Sequence, residues 1–158
     1  MVNLISSTLI CRPVPQVFDF ISNSENDFLW QYGTLDSSMI PAKAVRGVGS
    51  FFRNIGHLFG RRNLSTFEVT EFDPNKKYGF KSISGLLTMH TLYTFEVVSG
   101  CTKLDVSTQA SAIDAVQVRE SALERLLKKQ LRENLLLLKR LLETSDKVTG
   151  PERMGSMI

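Results

Sequence analysis

The chain is short of the side chains that most often carry chemistry. Its 158 residues include two histidines and two cysteines. His57 and His90 form no H-E-x-x-H motif, and Cys11 and Cys101 form no C-x-x-C pair, so the ligand spacings of a zinc site are missing. No Ser-His-Asp set with supporting local sequence is visible either. We therefore expect no metal, no cofactor and no catalytic residue. Long apolar runs are lacking too, none approaching the roughly 18 residues of a membrane span. The richest, Leu135-Leu136-Leu137-Leu138, is flanked by Arg132, Glu133, Lys139 and Arg140. No basic segment, apolar run and small-residue cleavage site open the chain. The expectation is a soluble cytoplasmic protein, in which Cys11 and Cys101 stay as free thiols. Antiparallel pairing of the first and last strands would nonetheless bring the two together. Charge is modest, with 22% charged residues and a net +3. The basic residues are unclustered and read as a solvated surface, so no nucleic-acid partner is expected.

What is present is a globular composition, 42% hydrophobic, in a length that suits one domain with a real core. Val2 to Cys11 reads as a strand, stopped by Pro13 and Pro15, which suit a helix's first turn. Val17, Phe18, Phe20 and Ile21 then give one short helix. Ser24 is placed to cap a second, Glu25 to Gln31, with Asp27 as the acid of a capping box and Gly33 at its end. Strand patterns follow over Thr34–Val45 (interrupted by Pro41), Ser50–Phe59, Leu64–Phe72, Lys77–Ser84, Leu87–Val98 and Thr102–Ile113. Turns are expected at Gly47-Val48-Gly49, Gly60-Arg61-Arg62-Asn63, Asp73-Pro74-Asn75, Gly85 and Ser99-Gly100.

From about Ala115 the period changes. Leu123, Leu127, Leu131, Leu135, Leu138 and Leu142 recur at three and four, with Asp114 as the cap of a helix of about 28 residues. The stripe is wider than a coiled-coil seam, which favours burial on a sheet. From Thr144 onward Gly150, Pro151 and Gly155 break any periodicity, so residues 1–143 are expected as the domain and 144–158 as a flexible tail. Strand, short helices, hairpins and a long helix, in that order, point to an α+β fold in which a curved antiparallel sheet grips the helix.

Several segments carry a family resemblance. Ile10-Cys11-Arg12-Pro13-Val14-Pro15-Gln16-Val17-Phe18-Asp19-Phe20-Ile21-Ser22 is similar to the opening of the SRPBCC superfamily, which includes START-like, polyketide cyclase-like and birch-pollen-allergen-like proteins. Trp30 stands where such chains often carry tryptophan. Gly47-Val48-Gly49-Ser50 resembles their glycine turn. Glu68-Val69-Thr70-Glu71-Phe72-Asp73-Pro74, Tyr93-Thr94-Phe95-Glu96 and Gly100-Cys101-Thr102-Lys103-Leu104 resemble their later hairpins. The resemblance covers about residues 2–143. It implies a helix-grip fold: a seven-stranded sheet around the C-terminal helix, two short helices after the first strand, and an apolar cavity between sheet and helix. It also implies the binding of lipids or other apolar small molecules, and in some members catalysis.

Alternation in strands places Met89, Thr91, Tyr93, Phe95 and Val97 on one face, and Tyr78, Phe80, Ser82 and Ser84 on one face of another strand. Trp30, Phe80, Ser82, Tyr93, Phe95 and Leu127 are the candidate ligand-binding wall, with Gln130 and Asn134 as polar groups beside the leucine stripe. Each aromatic alternatively fills the core, and Gln130 and Asn134 alternatively face water. His90 lies opposite Tyr93, outside the wall; the face of His57 is open. Two readings follow: a binding module for an apolar small molecule or lipid, and a polyketide cyclase- or dehydratase-like enzyme using the same cavity. A surface-acting partner protein is a third.

Overall fold

Seven antiparallel strands form one sheet in the order β1-β7-β6-β5-β4-β3-β2. In this computed structural model, which describes residues 1–144, they are β1 (Val2–Ile10), β2 (Thr34–Ile40), β3 (Phe51–Leu58), β4 (Arg61–Asp73), β5 (Lys77–Ser84), β6 (Leu87–Val98) and β7 (Cys101–Ala112). Of the tail expected over 144–158, Thr144 ends the last helix instead, and residues 145–158 lie outside the described residues. β2 to β7 make a meander, each strand beside its chain neighbour, and β1 joins the far edge by pairing with β7. Between β1 and β2 the chain crosses the full width of the sheet through α1 (Val14–Ser22), a 3-10 turn (Ser24–Asn26) and the short α2 (Asp27–Trp30). The long α3 (Glu120–Thr144) then packs on β1 and β7.

Local chemistry explains most boundaries and corrects four expectations. Asp73-Pro74-Asn75 turns β4 into β5, with Asn75 taking the positive φ of 66° that Asn tolerates. The β3–β4 turn, however, is only Phe59-Gly60, both at positive φ, the backbone of a two-residue hairpin. Arg61, Arg62 and Asn63 are therefore strand residues, opposite Leu58, His57 and Gly56. The cap after α1 is Asn23, whose side chain accepts from the Glu25 N–H, rather than Ser24, which is buried. α3 starts at Glu120 rather than near Ala115. Residues 113–118 turn on themselves through Val116 N–H to Ile113 O and Val118 N–H to Val116 O, and they bury Val116. Asp114 thus caps nothing, and the helix is 25 residues, roughly 37 Å, long. Finally, Cys11 and Cys101 form a disulfide rather than standing free. The register that pairs Ile10 with Thr102 sets these next residues against each other.

Burial forms two clusters. One joins α1, the aromatic inner face of β3 to β6, and Leu135, Leu138 and Leu142 of α3. The other joins Val2, Leu4, Leu58, Leu87 and Ala110 to Leu123 and Leu127. Leu131 is partly buried and packs against both.

Candidate functional site

A cavity of about 160 Å³ opens where the two clusters part, between the sheet and α3. Trp30, Phe67, Phe80 and Tyr93 of the first cluster meet Leu4, Leu58, Leu87 and Leu127 of the second around it. Its exposed lining residues, Tyr32, Gly33 and His57, mark the mouth. Gln130 and Asn134 reach the cavity from α3. Their four-residue spacing puts them on one helix face.

The mouth is held by close backbone contacts. The His57 N–H donates to Gly33 O at 3.0 Å, and the Tyr32 N–H donates to Asn134 Oδ1 at 2.7 Å. Gly33 sits at φ 80°, which favours glycine. Gly56 lies so near that a Cβ there would run into the Gly33 carbonyl.

Six of the eight sequence-selected residues border this space: Trp30, Phe80, Tyr93, Leu127, Gln130 and Asn134. Ser82 and Phe95 do not. The Ser82 hydroxyl is taken by the sheet, accepting from the Met89 N–H at 2.8 Å. Phe95 shares the inner face with Tyr93 but lies farther along β6, packed edge-on against Phe18 of α1 with centroids 5.1 Å apart. Val97, on the same parity, runs past the covered region and is exposed.

Aromatic rings form a continuous set beside the cavity. Trp30 meets Tyr93 edge-on at 6.3 Å, and Tyr78 stacks on Tyr93 at 6.2 Å. Phe80 contacts Tyr78, Tyr93, Phe52 and Phe67. Burial pushes the pKa of both tyrosines up, and nearby Asp27 adds to it. Neither phenol ionises at neutral pH.

Two groups stand where sequence did not put them. His57 reaches the mouth, but Phe52, Gly56 and Leu58 hold the inward parity of β3, so its side chain goes outward with Arg53. His90 is also exposed on the outer face. Asp27, expected as a capping acid, is 4% exposed and accepts from Asn54 Nδ2 at 3.3 Å. Burial raises its pKa well above 3.8, only partly countered by the Asn54 bond. Asn54 lines the cavity and Asp27 stands behind it.

This burial predicts a pH dependence of stability. Asp27 is protonated in the folded chain over a range where it ionises in the unfolded one. Its stabilising balance is complete below the unfolded pKa and is lost as pH rises towards the folded pKa, by up to about 1.4 kcal/mol per pH unit. Asp27→Asn, which cannot ionise, should be nearly neutral at pH 4 and stabilising at pH 8. Urea midpoints of both proteins across that range check this; a gap that does not widen with pH would refute it.

Among the described residues no group of three or more His, Cys, Asp or Glu is arranged to hold a metal ion. No helix among them is long and apolar enough to cross a membrane.

The sequence matches no known family profile and no curated protein sequence. Solved structures match it in shape. A START superfamily protein from Mycobacterium smegmatis superposes with a TM-score of 0.73 at 11% identity, over 90% of this chain and 97% of that one. Ara h 8.0201 gives 0.67 at 10% identity, over 90% and 98%. The di-domain ARO/CYC protein BexL, from the BE-7585A biosynthetic pathway, gives 0.71 at 19% identity, over 96% of this chain and 48% of that one. At these identities the likeness is one of fold: the helix-grip fold of SRPBCC-type structures, with its seven-stranded sheet, long C-terminal helix and short helices after the first strand.

Proposed function

We propose that this helix-grip chain binds a hydrophobic small molecule in the cavity between its sheet and α3. The observation that carries the reading is the cavity wall itself, on which Trp30, Phe67, Phe80, Tyr93 and five leucines alternate with neutral Asn, Gln, Ser and Thr side chains, the apolar-with-polar mixture of a small-molecule site. The START superfamily and ARO/CYC structures that share the fold agree with a guest inside it. The rival reading, a cyclase- or dehydratase-like enzyme, has less support. Both histidines sit on the outer parity of their strands, and the strongly perturbed carboxyl of Asp27 stands behind Asn54 rather than on the wall.

Trp30 is the only tryptophan, so its emission reports on this one place. A panel of fatty acids, sterols and aromatic compounds is expected to include a guest that changes that emission saturably. Leu127→Ala, which widens the wall, should shift the preference towards larger guests. Emission indifferent to every compound, with Trp30 remaining buried, would remove the binding reading.

A further inference from the structure

We infer that the cavity takes a small neutral ring compound carrying a ketone or hydroxyl oxygen, and that the Tyr93 hydroxyl receives that oxygen. The inference rests on the binding reading above and names the chemistry of the occupant.

Size comes first. At about 160 Å³ the space is close to the roughly 150 Å³ of an apolar cavity that accepts benzene, so one ring with small substituents fills it. Charge comes next. Among the described residues no Lys, Arg, Asp or Glu lines the cavity. A carboxylate or phosphate drawn inside would lose its water and find no counter-charge, which is far costlier than burying a neutral oxygen.

Several polar side chains on the wall, among them Ser65, Gln130 and Tyr93, have no hydrogen-bond partner among the described residues, and Tyr93 stands among the aromatic rings that would hold a guest ring. Thr91 and Thr108 bond each other at 3.0 Å. Asn134 Oδ1 is taken by the Tyr32 N–H, and Asn63 Oδ1 by the Leu86 N–H at 3.0 Å. Tyr93 is 5% exposed, lines the cavity, and has no hydrogen-bond partner for its hydroxyl among the described residues. That hydroxyl is not sealed off, unlike Trp30 Nε1 and Asn54 Oδ1, which are buried without accessible surface. A buried phenol normally finds a partner. Here the open space beside it is the cavity. Because the phenol stays protonated, it donates to a carbonyl oxygen or accepts from a hydroxyl. The rings of Trp30 and Phe80 beside Tyr93 supply edges and faces against which a guest ring packs.

Toluene, p-cresol and p-toluate separate these elements, since they share a ring and a methyl and differ in carrying no polar group, a neutral hydroxyl or a carboxylate. Binding to the full chain at pH 7 is read by calorimetry and by the single Trp30 indole N–H resonance. p-Cresol is expected to bind about fivefold tighter than toluene, the ratio that one net hydrogen bond gives. p-Toluate should bind at least tenfold more weakly than toluene. Tyr93→Phe should bring p-cresol to the affinity of toluene while changing toluene itself less than twofold.

If toluene binds but p-cresol gains nothing, if the gain survives in Tyr93→Phe, or if p-toluate binds as well as toluene, the inference fails and the cavity reading stands. If none of the three binds the unaltered chain, this inference fails, and the wider panel read through Trp30 emission decides the binding reading separately. Should Tyr93→Phe fail to fold, the three affinities of the unaltered chain decide by themselves.

Discussion

Leu138→Ala is expected to lower the unfolding free energy by about 2–5 kcal/mol, the range for emptying a buried leucine site. Leu138 is 0% exposed and belongs to the cluster in which α3 meets α1 and the aromatic face of the sheet. Removing its side chain costs the transfer of its methyl and methylene groups out of water, and then the contacts that a rigid surround cannot close up to recover. Leu136, two residues away on the opposite side of the helix, is 57% exposed. Leu136→Ala should stay within about 0.5 kcal/mol of the parent. Paired denaturation curves for the two variants decide whether the stripe faces the sheet; equal midpoints would mean that α3 does not pack as described.

Gly56→Ala is the second large effect. A Cβ on Gly56 would overlap the Gly33 carbonyl and crowd Thr34 Cα. These are backbone atoms, fixed by the His57 N–H to Gly33 O bond, so no flexible side-chain end is available to yield. Either the β2–β3 ladder opens at the pairing of Thr34 with Gly56, or residues 31–34 move off β3. Overpacking of this kind costs about 1–3 kcal/mol, and the backbone character of the clash places Gly56→Ala at the upper end. The variant should also bind any cavity guest differently, because residues 31–34 frame the mouth. A melting curve and guest affinity both unchanged would show that this contact is looser than described.

The sequence was most legible where punctuation and alternation agreed. β5 and β6 begin and end where their turn residues place them, because Asp73-Pro74-Asn75, Gly85 and Ser99-Gly100 each force a backbone that a strand cannot continue. Alternation put Phe80, Tyr93 and Phe95 on the inner face, where all three are buried. It could not say how far along the sheet the open space lies, so Phe95 was grouped with Tyr93 although it packs on α1. Nor could it show that the Ser82 hydroxyl is consumed by the Met89 N–H, since that depends on where the β5–β6 ladder stops. Asp27 was hidden for a different reason. An acid shortly after Ser24 fits a helix cap, and only the approach of Asn54 from β3 reveals it as a buried carboxyl. Arg61 and Arg62 looked like turn residues because two charges follow a glycine. The turn needs only Phe59 and Gly60.

The pairing of β1 with β7 has a consequence in time. Val2 lies opposite Ala110, so the first strand made has no partner until more than a hundred further residues exist. At roughly 5–20 residues per second that is a wait on the order of 5–20 s. The meander from β2 to β7 can grow hairpin by hairpin as it emerges, each closure spanning a short loop, whereas β1 must be recruited across the whole of that meander. Until then β1, with Leu4 and Ile10 uncovered, is an unpaired ribbon free to add to any open sheet edge it meets. On the ribosome, β1 is the last strand of this sheet to find its partner.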